Sequence, residues 1–223
     1  MTLDDLAARA RALLEDRQRA VIGVAGSPGA GKSTFTAELL DQLIAHPPLR
    51  VTDDTWIAHV PMDGFHLSDV ELRRLQRLDR KGAPDTFDVA GYACLLWRFQ
   101  QGSGETIYAP AFDRRLEQPV AGVIPIAPTT RLVVTEGNYL LLDEGLWPSV
   151  RAHLNQVWFI EINEVERQRR LVARHEHFGK DRAAAVAWAH GPDQRNAELI
   201  ARTRGLADVV VAGTAGEHVI LKS

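Results

Sequence analysis

Residues Gly26-Ser27-Pro28-Gly29-Ala30-Gly31-Lys32-Ser33 fit the pattern G-x-x-x-x-G-K-[ST]. Glycine at these places lets backbone N–H groups converge on the oxygens of an anion, where a side chain would block the approach. A helix starting directly after the loop adds partial positive charge at its first turn. Lys32 then places an ammonium over the β- and γ-phosphates of a nucleoside triphosphate, and the Ser33 hydroxyl suits Mg²⁺. Gly26, Ser27, Gly29, Ala30, Gly31, Lys32, Ser33 and Thr34 are accordingly expected to hold ATP, with Mg²⁺ as its counter-ion. Such a loop serves phosphoryl transfer, molecular switches and motors alike, so the rest of the chain must decide between them.

Two carboxylates stand where they could act on a bound triphosphate. Asp63, in Pro61-Met62-Asp63-Gly64-Phe65-His66, follows an apolar run and could take the proton of an attacking hydroxyl. Glu136 ends the run Val133-Val134-Thr135 and is expected to contact Mg²⁺ together with Ser33. Arg167, Arg170 and Arg174 follow one another at i, i+3 and i+7, within roughly 60° of each other on a helix. Three cations on one stripe repel unless something anionic joins them, and guanidinium geometry matches phosphate. Glu164, Glu166 and Glu176 could neutralise them structurally instead.

The elements that must position these groups are legible from apolar periodicity. A helix is expected over residues 2–18, with Thr2 and Asp5 placed as a capping box. Strands are expected at residues 20–25, 55–62, 131–135 and 157–162, with short edge candidates at 208–212 and 218–221. Helical patterns cover residues 32–45, 68–79, 88–101, 143–154, 164–177 and 180–203. Strands alternating with helices imply an α/β fold, a largely parallel sheet covered on both faces, with ligands beyond the carboxyl ends of its strands. Residues 175–181, polar and containing Gly179, suit the tip of a lid. Cys94, within Ala93-Cys94-Leu95-Leu96-Trp97, reads as a small buried residue.

Taken in order, the pieces G-S-P-G-A-G-K-S-T, M-D-G-F-H, K-G-A-P-D-T-F-D, I-Y-A-P-A-F-D-R, V-V-T-E-G-N-Y-L-L-L, an arginine-rich lid and A-D-V-V-V become familiar. The chain resembles the P-loop kinase superfamily of uridine kinase, phosphoribulokinase and type I pantothenate kinase, over roughly residues 20–212. It looks most like the bacterial branch described as nucleoside/nucleotide kinase-like or fructose-transport-associated kinases. The resemblance implies a P-loop NTPase three-layer sandwich with a mainly parallel five-stranded sheet, one domain over residues 1–223, and a helical lid near 167–185. It implies Asp63 as general base, Lys32, Arg170 and Arg174 on the transferring phosphate, and Glu136 near Mg²⁺. Acceptor contacts are implied for Asp63, His66, Asp85, Phe87, Tyr108, Asp113, Arg114 and Asn138.

One segment departs from the pattern. After Tyr108 the chain reads Ala109-Pro110-Ala111-Phe112-Asp113-Arg114, without the histidine that uridine and pantothenate kinases place there. Asp113 and Arg114 could meet polyol hydroxyls or a phosphate, which leans the expected acceptor towards a sugar, fructose among them. Transfer of the γ-phosphate of ATP to a metabolite hydroxyl is the leading expectation. The rival is a regulatory or assembly ATPase or GTPase without a small acceptor. A guanine-reading N-K-x-D is absent, because none of Asn138, Asn155, Asn163 and Asn196 precedes lysine.

Composition narrows the partners. The 223 residues are 45% hydrophobic and 25% charged with net charge −3, which supplies no global basic field for nucleic acid or an anionic membrane. No stretch approaches the roughly 20 uninterrupted apolar residues of a membrane span. The start Met1-Thr2-Leu3-Asp4-Asp5 lacks the basic and apolar regions of a secretory signal, and a single cysteine fits a reducing cytoplasm. Oligomeric state stays open, a homodimer included.

Overall fold

The computed structural model describes residues 2–49, 51, 53–214 and 217–222. Its strands are β1 (Ala20–Gly26), β2 (Ile57–His59), β3 (Ile107–Asp113), β4 (Gln118–Ile126), β5 (Leu132–Gly137), β6 (Gln156–Glu161), β7 (Val209–Thr214) and β8 (Glu217–Lys222). The helices are α1 (Leu3–Ala12), α2 (Lys32–Ala45), α3 (Asp69–Arg74), α4 (Val89–Gln101), α5 (Trp147–Arg151), α6 (Glu164–His177), α7 (Arg182–His190) and α8 (Pro192–Ala201). One sheet runs in the order β2-β5-β1-β6-β7-β8, and a separate two-stranded ribbon joins β3 to β4. The first five of the six are parallel, as expected, and β8 adds an antiparallel edge against β7.

β1 is central, with Ala20 opposite Leu132 on one side and Ile22 opposite Gln156 on the other. Every one of its residues is buried, which is why the strand reads as an unbroken apolar run. Alternate residues serve opposite layers. Ile22, Val24, Val134, Trp158 and Ile160 pack beneath α1 and α2, while Val21, Ala25, Val133, Val157 and Phe159 pack beneath α4 and α5. The carboxyl ends of β1, β2, β5 and β6 therefore reach one edge together, and that edge carries the residues with chemistry.

Local chemistry sets the element ends. Thr2 accepts from the Asp5 N–H at 3.3 Å and its own N–H donates to Asp5 Oδ2 at 2.7 Å, the capping box expected for α1. That helix stops at Ala12, short of residue 18. β2 is shorter than the expected residues 55–62, because Asp53 caps a 3₁₀ turn at Asp54–Trp56 and Pro61, which has no N–H, leads into another at Met62–Phe65. Residues 180–203 divide into α7 and α8 at Gly191-Pro192, where a ring at the first helical position starts a new helix rather than continuing the old one. The pattern at 143–154 yields only the short α5.

Cys94 is exposed, contrary to expectation. α4 directs Tyr92, Ala93, Leu95, Leu96 and Phe99 at the core, which leaves position 94 on the outer face although its neighbours in sequence are apolar. The β3–β4 ribbon had no counterpart among the expected strands. Prolines 110, 119 and 125 interrupt both runs, and both strands are edges, where the missing N–H of proline breaks no interior ladder.

Trp158 is fully buried and meets Phe35 edge-on at 6.3 Å. Trp158→Ala should cost about 3–5 kcal/mol in urea denaturation. Cys94→Ala should change stability by less than about 0.5 kcal/mol, and a loss comparable to that at Trp158 would contradict its exposed placement.

Candidate active site

The glycine-rich loop spans from β1 to α2. Gly31 holds φ at 92° as the N-cap of α2, a left-handed conformation that points the following N–H groups along the helix axis. Gly29, at φ 80°, serves close packing: a Cβ there would lie 2.8 Å from Leu171 Cγ and 2.9 Å from the Arg167 carbonyl. α6 thus rests directly on the loop.

Lys32 is folded back over that loop. Its Nζ donates to the carbonyls of Gly26 at 2.9 Å and Ser27 at 3.1 Å, and to Asn138 Oδ1 at 2.7 Å. Burial lowers its pKa to about 8, against the opposing pull of Glu136 and Asp63. Ser33 Oγ donates to Glu136 Oε2 at 2.9 Å, and His59 Nε2 stands 3.6 Å from the other carboxylate oxygen. A hydroxyl beside a buried carboxylate is a hard oxygen pair that fits Mg²⁺ shared with nucleotide phosphates. Among the described residues no cluster of three His, Cys, Asp or Glu could hold a metal alone.

A cavity of about 440 Å³ opens from this point, within the usual range of ligand sites. Lys32, Ser33, Glu136 and Asn138 line it together with Asp63, His66, Phe87, Phe112 and Arg114. Arg174, His175, Phe178 and Lys180 enter from α6 and the turn after it. The sequence-predicted base and phosphate-binding groups are therefore brought into one space.

Asp63 lies in the 3₁₀ turn after β2, and Arg114 Nη2 donates to its Oδ2 at 2.6 Å. Burial pushes the Asp63 carboxyl up, but His66, Arg114, Arg174 and Lys32 together outweigh it and leave its pKa below the ordinary aspartate value. His66 Nδ1 donates to the Asp63 carbonyl at 2.8 Å, and its ring lies against Phe87 and Phe112. Burial lowers the His66 pKa, with Asp63 opposing, so the ring is neutral near physiological pH and its Nε2 is an acceptor.

Several expected site residues fall elsewhere. Tyr108 points away from the cavity and is 62% exposed, because β3 alternates its faces and Ile107 and Ala109 take the buried side. Asp113 accepts the N–H groups of Arg115 and Leu116 and so shapes the turn of the ribbon. Asp85 faces outward to Arg77 and Arg80, at 3.2 and 2.8 Å. Thr34 is exposed in the first turn of α2 and does not line the cavity. Ser27 and Ala30 border a smaller neighbouring cavity of about 170 Å³.

The arginine stripe divides by role. Arg167 is 2% exposed, held by Glu164 and Gln194, and donates to the Pro28 carbonyl at 3.3 Å, so it fastens α6 to the loop instead of meeting a ligand. Arg170 pairs with Glu166 at 2.7 Å while Nη1 lies against Gly31. Arg174 alone of the three lines the cavity. Lys81, His175 and Asp193 were not foreseen in the site. Lys81 donates to Asp69 at 2.7 Å and passes over the Phe112 ring, while His175 Nε2 meets Asp193 Oδ2 at 2.7 Å. Lys81 stands at the start of a segment the sequence had flagged; the His175–Asp193 pair spans two helices and left no local signal.

Comparison with known proteins identifies the family. The phosphoribulokinase/uridine kinase family model matches residues 21–218. A Schizosaccharomyces pombe protein provisionally named a uridine kinase is 32% identical over 176 residues, 77% of this chain and 73% of its own. The uncharacterised YggC of Escherichia coli K12 is 32% identical over 89% of this chain and 79% of its own. A crystal structure from Silicibacter sp. TM1040, described provisionally as a fructose transport system kinase, superposes with a TM-score of 0.83 at 36% identity, covering 94% of this chain and 98% of that one. The fold is that of the P-loop kinases, and the chain belongs to the phosphoribulokinase/uridine kinase family.

Lys32 makes a direct test of the site's electrostatics. Between pH 8 and 10.5 the unfolded chain keeps a proton on this lysine that the folded chain has released, so its contribution to stability rises with pH across that window. Below about pH 8 the full cost of the buried cation persists. Lys32→Met should therefore be the more stable protein near neutral pH, by on the order of 2–3 kcal/mol, with the gap closing as pH approaches 10.5. Denaturation of both proteins across this range checks it; a gap that widens with pH would contradict the burial of the charge.

Proposed function

We propose that this phosphoribulokinase/uridine kinase family member transfers the γ-phosphate of ATP to a hydroxyl of a small metabolite, with Asp63 as base. The observation that carries the reading is that Lys32 and Asp63 line one cavity, with the Ser33–Glu136 pair between loop and sheet. Lys32 is a half-buried cation whose hydrogen bonds go to carbonyl oxygens and an amide, so phosphate oxygens are a better partner for it. Ser33 and Glu136 would hold Mg²⁺, which supplies charge neutralisation on the phosphates. Arg174, with Arg170 behind the loop at Gly31, would answer the negative charge spread over the phosphoryl oxygens.

In the transfer, the acceptor oxygen attacks the γ-phosphorus in line as its proton passes to an Asp63 carboxylate oxygen. The bond from that phosphorus to the β,γ-bridging oxygen breaks, and its electron pair leaves with ADP. Phe87 and Phe112 supply apolar sides to the acceptor space, His66 Nε2 an acceptor, Asn138 an amide and Arg114 a fork of donors. Arg114 and the missing histidine between Tyr108 and Arg114 favour a sugar or sugar derivative, and the provisional fructose description of the Silicibacter relative points the same way. We read the chain as one catalytic domain whose α6–α7 hairpin closes over the donor. A cytoplasmic setting is consistent with this reading, and among the described residues no helix is long and apolar enough to cross a membrane.

Asp63→Asn should retain ATP binding yet reduce transfer by about 10³-fold or more, because both the base and a cavity charge are lost. Lys32→Ala should weaken triphosphate binding and turnover together. Equilibrium binding of a fluorescent ATP analogue, beside product detection by mass spectrometry, separates the two, and full turnover by the Asp63 variant would remove it from the role of base.

A further inference from the structure

The Asp63–Arg114 contact poses a problem for transfer. A base must offer its lone pair to the acceptor hydroxyl, yet in this structure Asp63 Oδ2 already accepts from Arg114 at 2.6 Å. Both side chains are about one third exposed, so water can reach the pair, but an acceptor hydroxyl that needs Asp63 Oδ2 must displace Arg114 from it. Among the described residues no other carboxylate lies within ion-pair distance of Arg114. His66 spends its Nδ1 on the Asp63 carbonyl, and no hydrogen bond joins it to Arg114.

The surroundings of Arg114 are short of negative charge. Arg115, Arg174 and Lys180 line the same cavity without an ion-pair partner among the described residues, and Lys180 has only the Trp188 ring beneath it. The carboxylates on this side are Glu117 and Asp193, and Asp193 is engaged by His175. Phe112 lies beneath the Arg114 guanidinium, 5.0 Å from ring centroid to carbon, a platform on which the group can turn without losing its contact.

We infer that the acceptor carries an anionic group, a phosphate or a carboxylate, which takes Arg114 from Asp63 and so uncovers the base only when the acceptor is in place. This deepens the kinase reading and rests on it. Arg114 serves both as a binding contact and as a cap: without the acceptor, Asp63 is occupied and water cannot readily use it, which guards ATP against hydrolysis. With the acceptor bound, charge-assisted bonds to its anionic oxygens replace the one that Asp63 gives up.

Matched acceptors test this. Fructose against fructose 6-phosphate, and glycerol against glycerate, should be offered with Mg·ATP and the products identified by mass spectrometry. The anionic member of at least one pair should exceed its neutral partner in kcat/KM by about 100-fold, and Arg114→Gln should remove most of that advantage. Preference for a neutral member would overturn the inference while leaving the kinase reading intact. Independently of turnover, methylphosphonate and acetate should be titrated calorimetrically into protein saturated with Mg·ADP. At least one should bind, and about tenfold more weakly to Arg114→Gln. Binding of neither, or binding indifferent to the substitution, would overturn the inference. Such binding without phosphorylation of any panel member would uphold the anion site and count against the acceptors chosen, the kinase reading being judged on Asp63 and Lys32.

Discussion

A positive charge folded back onto the carbonyls of its own loop, at the wall of a cavity, governs this molecule. Lys32 is held by two carbonyls of its own loop and by Asn138, partners that carry no full charge. Its lowered pKa records the cost. Such a cation persists only because the surrounding backbone is fixed by β1, α2 and the buried strands on either side. On the proposed reading, phosphate oxygens would relieve this cost, and the rigidity of the sheet would be converted into affinity for the donor.

The same rigidity extends to the lid. Arg167 joins the Pro28 carbonyl to Glu164 and Gln194, and Gly29 lets α6 lie on the loop without an intervening side chain. The beginning of α6 is therefore part of the loop's foundation, whereas Arg174, two turns further on, reaches into the cavity. α6 is tied at both ends, by Arg167 to the loop and by His175 to Asp193 of α8, and Arg174 enters the cavity between these ties.

Much of this was legible in the sequence, for reasons that differ by element. The parallel strands were visible because strands buried on both faces read as apolar runs, as in Ala20–Gly26 and in the first three residues of Leu132–Gly137. The loop, Asp63 and Glu136 were visible because strand ends place chemistry at one edge. The β3–β4 ribbon was hidden because its prolines mimic a loop. Tyr108, Asp85 and Asp113 were placed by segment alone, and a segment does not say which face a residue takes. Arg167 looked identical to Arg174 on the helical stripe, and only the position of α6 against the loop separated a structural tie from a cavity group. Cys94 failed for the related reason that an apolar neighbourhood in sequence need not be an apolar neighbourhood in space.

The ribbon that escaped detection has a bearing on how such an enzyme diversifies. β3 and β4 pair only with each other and stand outside the six-stranded sheet, yet they deliver Phe112 and Arg114 to the cavity. On the proposed reading the donor is held by a loop and helix start seated between β1 and β5, strands whose every residue is buried and where change is costly. On the same reading the acceptor is met partly by a two-stranded flap whose turn can lengthen, shorten or alter its charge with little effect on the main core. One scaffold can thereby keep its nucleotide chemistry under strict inheritance while its choice of metabolite drifts.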